Sequence, residues 1–150
     1  MSGTFTNHLY HIIFSTKNRE NLIKQDFKDE LYAYIGGIFK GEKGLLICAG
    51  GTENHIHLLG LIHQSISVSE MIRHIKGNSS LWISKSEKSA NNFAWQVGYG
   101  SFTVSESSKD KIISYINGQE EHHRKRTFKE EYLEFLHKHK IKYEEKYIWN

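Results

Sequence analysis

The sequence has little of what a secreted or membrane protein needs. It contains one cysteine, Cys48, which excludes a framework of disulfide bonds, and the apolar neighbours of this residue favour a small buried side chain. No window approaches the roughly 18 apolar residues of a membrane span. The polar start of the chain lacks the basic and then apolar order of a secretion signal. We therefore expect a soluble protein of the reducing cytoplasm, without a membrane partner.

The chain also lacks proline, internal repeats, low-complexity segments and a recognisable linker. We therefore interpret residues 1–150 as a single domain, which is long enough to bury roughly 70% of the surface that the unfolded chain exposes.

What the chain does have is positive charge and histidine. The formal net charge of +3 and the pI near 8.9 are compatible with a nucleic-acid partner without establishing one. The ten histidines indicate chemistry at some of them.

The first half of the chain alternates between strand and helix patterns. β-Branched and aromatic residues over 4–16 predict a strand. Apolar residues at three- and four-residue spacing predict a helix that begins near Asp26 and ends before the next strand. Two short apolar runs, 45–49 and 55–62, predict two further strands. The segment 50–54 between them has the composition of a hairpin connection.

A second helix and a fourth strand complete this pattern. Ser67 and Glu70 have the spacing of a capping box, which predicts the start of a helix, and residues 93–104 return to strand character. The order βαββαβ is that of the ferredoxin-like arrangement, an α+β fold in which an antiparallel sheet carries both helices on one face. We expect the other face of the sheet to be free.

Two more helices are predicted after the sheet. The first begins near Ser107 or Ser108 and carries Tyr115 and Gln119, which share a face because positions four residues apart are neighbours on a helix. The second begins at Thr127, which is followed three residues later by the glutamate of another capping box. The first of these helices thus presents a phenol beside an amide.

A pair of histidines is the most informative chemical signal. His55 and His57 lie one residue apart in a predicted strand, so both imidazoles point to the same face of the sheet. Such a pair is more often structural than metal-binding, and a divalent metal needs more than two ligands. Gln119 can supply a third, a neutral amide oxygen, if its helix meets the strand. This set predicts a loosely held Mg²⁺ or Mn²⁺ that keeps positions open for water and a phosphate oxygen.

Tyr115 is the candidate nucleophile. A helical tyrosine is usually a packing residue, and its phenol, with an ordinary pKa of about 10, needs a nearby cation, metal or base in order to attack. The pairing with Gln119 favours the catalytic interpretation. The basic segment 122–126 is by default a solvated helix end, where positive charge suits the helix dipole, but it is equally suited to contacts with phosphates.

Six stretches of the sequence, spread over nearly the whole chain, form a highly specific combination: HIIFSTK at 11–17, GGTENHIHLL at 50–59, ISVS at 66–69, IKGNSS at 75–80, WQVGYGSFTVS at 95–105 and YINGQEEHHRK at 115–125. With these stretches the chain resembles the small HUH single-tyrosine transposases of the insertion sequence 200/605 type, including the related repeat-associated tyrosine transposases. In one place it departs from them. Family members often carry Pro-Asp just before the histidine pair, whereas this chain has Glu53-Asn54.

The resemblance implies a role for each candidate site residue. It implies His55 and His57 as the HUH pair, with Gln119 as the third metal ligand. Tyr115 is then the residue that attacks a phosphate of single-stranded DNA, leaving a 5′-phosphotyrosine bond and a free 3′-OH. A different 3′-OH can reverse the reaction, so strands are cut and rejoined without an external energy source. Tyr99 also lies in a signature stretch, but it lacks a ligand four residues further on.

The resemblance also implies partners and a location. DNA hairpins are the expected substrate rather than a small molecule, and the expected location is the nucleoid of the cytoplasm. The expected assembly is a homodimer in which each tyrosine helix serves either its own histidine pair or that of the other subunit. Exposed aromatic side chains are available to stack on unpaired bases. The basic candidates for phosphate contacts are Lys76, Arg124, Lys125 and Arg126.

Two other functions deserve comparison with this one. A domesticated, non-mobilising descendant would bind DNA or RNA hairpins without cutting them, and the expected sign is the loss of a catalytic residue. No such residue is lost here. A two-histidine phosphoesterase would need a pair of His-x-Thr/Ser triplets, which the sequence does not have. The transposase is therefore the favoured interpretation.

Overall fold

The protein is built around a four-stranded antiparallel sheet, seen in a computed structural model that describes residues 3–86 and 92–150. The strand order is β2-β3-β1-β4. The strands are β1 (Leu9–Ser15), β2 (Leu45–Thr52), β3 (His55–Leu61) and β4 (Gly100–Thr103). The ferredoxin-like α+β prediction is confirmed, with β1 and β3 in the centre of the sheet.

Six helices accompany the sheet in the part of the chain that the structure describes. They are α1 (Lys28–Gly41), α2 (Val68–Lys85), α3 (Lys109–Asn117), α4 (Gln119–His122), α5 (Phe128–Lys138) and α6 (Glu145–Ile148). Both predicted N-caps are present, because the side chains of Ser67 and Thr127 each accept a hydrogen bond from the backbone N–H three residues on. None of these helices is both long and apolar enough to cross a membrane.

The first face of the sheet packs against α1 and α2. Alternate residues of the central strands, among them Ile12 and Phe14 of β1 and Ile56 and Leu58 of β3, are fully buried there. The helices contribute apolar side chains at three- and four-residue spacing: Leu31, Ile35 and Phe39 from α1, and Met71, Ile72 and Ile75 from α2. This is the main hydrophobic core.

The second face of the sheet is covered as well, contrary to the expectation that it would be free. Ile13 of β1 packs against Phe128, Tyr132 and Leu136 of α5. Leu59 of β3 packs against Ile116 of α3. The reason is that the central strands also carry apolar residues on this side, Leu9, Ile13 and Leu59, and the C-terminal helices exclude water from them. Any functional group on that face is therefore buried beneath α3 to α5.

The strand boundaries differ from those predicted at both edges of the sheet. The first strand begins at Leu9 rather than at residue 4. Of the predicted strand 93–104, only Gly100–Thr103 pairs continuously with β1, while Trp95 forms an isolated bridge to Thr16. The side chain of Lys76 interrupts this segment, because its Nζ donates hydrogen bonds to the carbonyls of residues 96, 97 and 98.

The glycines of segment 50–54 serve close packing rather than a loop. β2 continues through them to Thr52, and the turn is shortened to Glu53-Asn54. A Cβ on Gly50 would lie 2.4 Å from the carbonyl oxygen of Ile116, so α3 can approach the strand only because this residue has no side chain. Gly51 has a φ of +151°, and a Cβ there would collide with the backbone of β3. Gly50 thus allows the close approach of β2 to the helix that carries Tyr115, and Gly51 allows the tight pairing of β2 with β3.

Candidate active site

His55 and His57 lie side by side on the second face of the sheet. They follow from the alternation of β3, which is held in register by β1, so that His57 is opposite Ile13 and His55 is opposite Ser15. Both rings are completely buried. Burial, together with the neighbouring His57, lowers the pKa of His55 to about 3. The ring of His55 is therefore neutral at pH 7 and has a nitrogen lone pair available for a metal.

Gln119 of α4 and Glu131 of α5 reach this pair from above. Oε1 of Gln119 lies 2.8 Å from Nε2 of His55, and its Nε2 donates a hydrogen bond of 3.1 Å to Oε2 of Glu131. Oε1 of Glu131 is 3.0 Å from Nε2 of His57 and 3.7 Å from Nε2 of His55. The potential ligand atoms of the two histidines and the glutamate lie within 4.8 Å of one another. These three residues could hold a metal ion, with the amide oxygen of Gln119 beside it.

Glu131 is the only acid in this cluster of four, and it is fully buried. Burial alone would raise the pKa of its carboxyl group, but hydrogen bonds from the ring nitrogens of His123 and His57 lower the pKa below the ordinary value. The carboxylate is thus ionised at pH 7. It supplies a negative charge that a set of two histidines and a glutamine would lack, and so favours a firmer hold on a cation.

The far nitrogens of the two histidines are also engaged. Nδ1 of His57 lies 2.8 Å from Nε2 of His11 on β1, and Nδ1 of His55 lies 2.9 Å from Oδ1 of Asn54. Burial and the neighbouring His57 lower the pKa of His11 well below its usual value. In a metal-bound site, where Nε2 of His57 would no longer donate to Glu131, the neutral ring of His11 could accept a hydrogen bond from Nδ1–H of His57. Contacts of this kind fix the tautomer and turn Nε2 of each ring toward a metal.

Tyr115 of α3 stands over the same carboxylate. Its Oη donates a hydrogen bond to Oε2 of Glu131. Nε2 of His122 lies 3.3 Å from that oxygen and Nη2 of Arg126 lies 3.5 Å from it. Burial and the carboxylate raise the pKa of the phenol above its ordinary value. Within one chain, therefore, the phenol and the histidine pair are joined through a single glutamate.

The family of the chain follows from comparison with known proteins. A model of IS200-like transposases matches residues 4–119, a range that includes the histidine pair, Tyr115 and Gln119. The chain belongs to the IS200-like transposase family. No curated protein sequence matches it. Glu131 lies on α5, beyond the matched range.

Two solved structures resemble this transposase in fold. One is a protein of Deinococcus radiodurans described as a transposase, with a TM-score of 0.61 and 22% identity over 79% of this chain and 95% of the other. The second is a REP-associated tyrosine transposase bound to a REP hairpin, with a TM-score of 0.58 and 14% identity. That match covers 79% of this chain and 72% of the relative.

The helix of this transposase that was predicted to carry both Tyr115 and Gln119 is divided in two. α3 ends at Asn117, and Gly118 forms the junction with α4. The N–H of Gly118 donates to the carbonyls of Ser114 and Tyr115, so the chain continues in a helical sense without forming one helix. Both side chains still reach Glu131 across this break.

The four predicted DNA-contact residues occupy different environments. Arg124 and Lys125 are exposed, and Arg124 forms an ion pair with Glu121. Arg126 is ion-paired with Glu134 beside the phenol. The ammonium group of Lys76 makes three hydrogen bonds to backbone carbonyls, and burial lowers its pKa to about 8. A DNA contact by Lys76 would therefore require it to leave these carbonyls.

Glu131 and His11 belong to the site but were not predicted from the sequence. Both have a recognisable signal. Glu131 lies on the same face of α5 as Phe128, Tyr132 and Phe135, so it is an acid inside an apolar stripe. His11 is a polar residue in a strand whose neighbours are apolar on both sides. Tyr99, the other signature tyrosine, lies instead beside Lys76, whose Nζ is 5.7 Å from the centre of its ring.

Proposed function

We propose that this transposase cuts and rejoins single-stranded DNA at ends marked by hairpins, with Tyr115 as the nucleophile. One observation carries the proposal. Glu131 contacts both the hydroxyl of Tyr115 and Nε2 of His57, so a phosphate placed over the histidine pair would also be within reach of the phenol. Membership of the IS200-like family supports the same reaction.

His55, His57 and Glu131 are the residues we propose to hold a divalent cation, Mg²⁺ or Mn²⁺, with Gln119 as a further ligand. The donor set fits such an ion, because it combines two neutral imidazoles with one carboxylate and one amide oxygen in a buried cluster. A bound cation would polarise the scissile phosphate and stabilise the charge that develops there. The outer contacts from His11 and Asn54 hold the two rings in place.

The covalent step exchanges one phosphodiester for another. Oη of Tyr115 forms a bond to phosphorus as the bond from phosphorus to the 3′ oxygen breaks, and the phenol proton is lost while the departing 3′ oxygen gains a proton. The 5′-phosphate remains on the tyrosine. Attack by another 3′-OH reverses these changes and restores the phenol. Arg126 and His122 flank the reacting oxygen, where a cationic guanidinium favours the ionised phenol.

The surface around the site provides the proposed contacts with DNA. The segment that joins α4 to α5 carries three basic residues: Arg124, Lys125 and Arg126. A solved relative of similar fold carries a bound REP hairpin, which supports a hairpin as the substrate of this chain. We further propose that residues 1–150 act as one domain within a homodimer.

A covalent-adduct assay tests this function. Labelled single-stranded hairpin oligonucleotides from the DNA flanking the gene are incubated with protein in EDTA, Mg²⁺ or Mn²⁺ and separated on a denaturing gel. We expect an adduct that requires metal and disappears in Tyr115→Phe, while hairpin binding in that variant is retained. Tyr99→Phe is the matched control and should still form the adduct. Tight binding without any adduct would instead favour a domesticated hairpin-binding protein.

A further inference from the structure

A cavity of about 490 Å³ opens directly beside the phenol. Tyr115 and His11 form one end of it, where it meets the candidate active site. It is also lined by Phe102 of β4 and by His139, the residue that follows α5. It is lined mainly by apolar surface, and the residues that carry the proposed metal, His55, His57 and Glu131, are not part of its wall.

One wall of the cavity is a group of nearly parallel rings. The rings of Phe102 and His139 are 4.3 Å apart between centroids and inclined by 23°. Those of Phe135 and His139 are inclined by only 7°. Phe102 is buried, Phe135 is partly buried and His139 is exposed. The stack therefore offers a flat face at the mouth of the cavity, which is the surface on which an unpaired base can stack.

The rim of the cavity is positively charged. Lys111, Arg126 and Lys138 line it, and the acid among the lining residues, Glu134, is paired with Arg126. Three cations and one carboxylate leave an excess of positive charge around the stacked rings. A nucleotide carries the complementary pair of features, an apolar planar base and an anionic phosphate.

We propose that this cavity holds one of the two nucleotides that flank the scissile phosphate, with its base on the exposed ring of His139, which Phe102 and Phe135 support, and its phosphate near Lys111 and Lys138. The inference rests on the proposed function: if Tyr115 attacks the scissile phosphate, that phosphate lies beside this cavity, and a nucleotide next to it can enter. Only a single strand fits, since a base in a duplex is already stacked and paired and cannot lie against a side chain.

The test combines removal of a base from the DNA with substitution of a residue that lines the cavity. After the cleavage position has been mapped with the unaltered protein, abasic sites are placed on each side of it, and adduct formation is compared for the unaltered protein and His139→Ala. His137→Ala is the matched control, because this exposed histidine lies two residues away, at the end of α5, and does not line the cavity. We expect one abasic position and His139→Ala each to slow the reaction by roughly 10-fold, in the range given by base–aromatic stacking. The abasic substrate and His139→Ala together should slow adduct formation by little more than either change alone, because both remove the same stacking contact.

A second measurement does not depend on cleavage. Binding of a six-residue oligothymidylate in EDTA should weaken by roughly 10-fold in His139→Ala and remain unchanged in His137→Ala. If no oligonucleotide forms an adduct but this difference is found, the proposed reaction fails while the base site stands. If adducts form normally with both abasic substrates and His139→Ala binds as the unaltered protein does, the base site is refuted while the transposase reaction stands.

Discussion

The hydroxyl of Tyr115 donates a hydrogen bond to Oε2 of Glu131, and the other oxygen of that carboxylate lies 3.0 Å from Nε2 of His57. Nucleophile and histidine pair are thus connected through one ionised group. Burial and the carboxylate raise the pKa of the phenol by more than Arg126 and Gln119 lower it, so the phenol stays protonated at pH 7. A cation bound to the carboxylate of Glu131 would partly neutralise its charge. The pKa of the phenol would then be raised less, which favours the reactive, ionised form.

The first prediction concerns the charge of Glu131. In Glu131→Gln the side chain keeps its shape but loses the negative charge of the ligand cluster. We expect Mn²⁺ to bind at least about 10-fold more weakly, as measured by titration calorimetry, because a divalent cation then faces neutral ligands alone. Gln119→Ala removes a neutral ligand and should have a smaller effect on the affinity.

The neighbouring residue provides the control. Glu130 is exposed and its carboxylate caps α5, so Glu130→Gln should leave Mn²⁺ affinity unchanged. Equal Mn²⁺ affinity in Glu131→Gln and the unaltered protein would remove Glu131 from the proposed ligand set. It would return the third position to Gln119, as the sequence alone predicts.

The histidine pair and the two caps were predictable because each depends on local geometry. Alternation along a strand places His55 and His57 on one face, and a side chain at Thr127 can satisfy only the N–H groups next to it. The role of Glu131 was not predictable in the same way. It depends on how α5 lies across the second face of the sheet, and this packing is determined by contacts such as Ile13 with Phe128 and Tyr132, far apart in the sequence.

The second prediction is that the site is assembled within one chain. Tyr115 contacts the Glu131 and histidine pair of its own chain. A complex that contains one Tyr115→Phe and one His57→Ala subunit, purified with two different tags, should therefore form no adduct, because neither subunit has a complete site. Exchange of the tyrosine helix between subunits would restore one complete site.

A mixed complex of unaltered and Tyr115→Phe subunits is the positive control for this experiment. It should form the adduct on the unaltered subunit alone. Adduct formation by the doubly altered complex at a comparable level would show that the tyrosine serves the partner, contrary to the arrangement described above.

The third prediction concerns the junction at Gly118. Its φ of −95° is accessible to any residue, and a Cβ there would meet the carbonyl oxygens of Ser114 at 3.4 Å and Tyr115 at 3.8 Å, which is ordinary van der Waals contact. Gly118→Ala should therefore raise the free energy of unfolding by about 0.5–1 kcal/mol, as measured in urea. If Tyr115 must move relative to Gln119 during the reaction, the same change should slow adduct formation.

Gly37→Ala is the control that distinguishes an effect on stability from an effect on motion at the Gly118 junction. Gly37 lies within α1, and a Cβ there would meet no atom within 4 Å, so this variant should gain similar stability without a change in rate. Unchanged adduct formation in both variants would mean that the junction acts as a fixed connection. Strong protection of the residue 118 amide from hydrogen exchange would indicate the same.

The last prediction is a loss of stability in acid for the metal-free protein. His11 and His55 have pKa values below the ordinary 6.5, that of His55 at about 3, and burial is the main cause of both shifts. As the pH falls below 6.5, the unfolded chain takes up protons that the folded chain does not. The free energy of unfolding should therefore decrease by about 1.4 kcal/mol per pH unit for each such histidine. The lowered pKa of Glu131 adds a loss in the same direction once the pH falls below the ordinary carboxyl value of 4.5.

Urea unfolding in EDTA at pH 7.5, 6.5, 5.5 and 4.5 measures this dependence. His11→Gln removes one of the two groups while keeping a hydrogen-bond partner for Nδ1 of His57, so the slope between pH 6.5 and 4.5 should become smaller. His137→Gln, at an exposed position, should leave the slope unchanged. A free energy of unfolding that stays constant over this range would mean that the two buried rings take up protons in the folded state. Neutral histidines in the site would then not be the resting form of the protein.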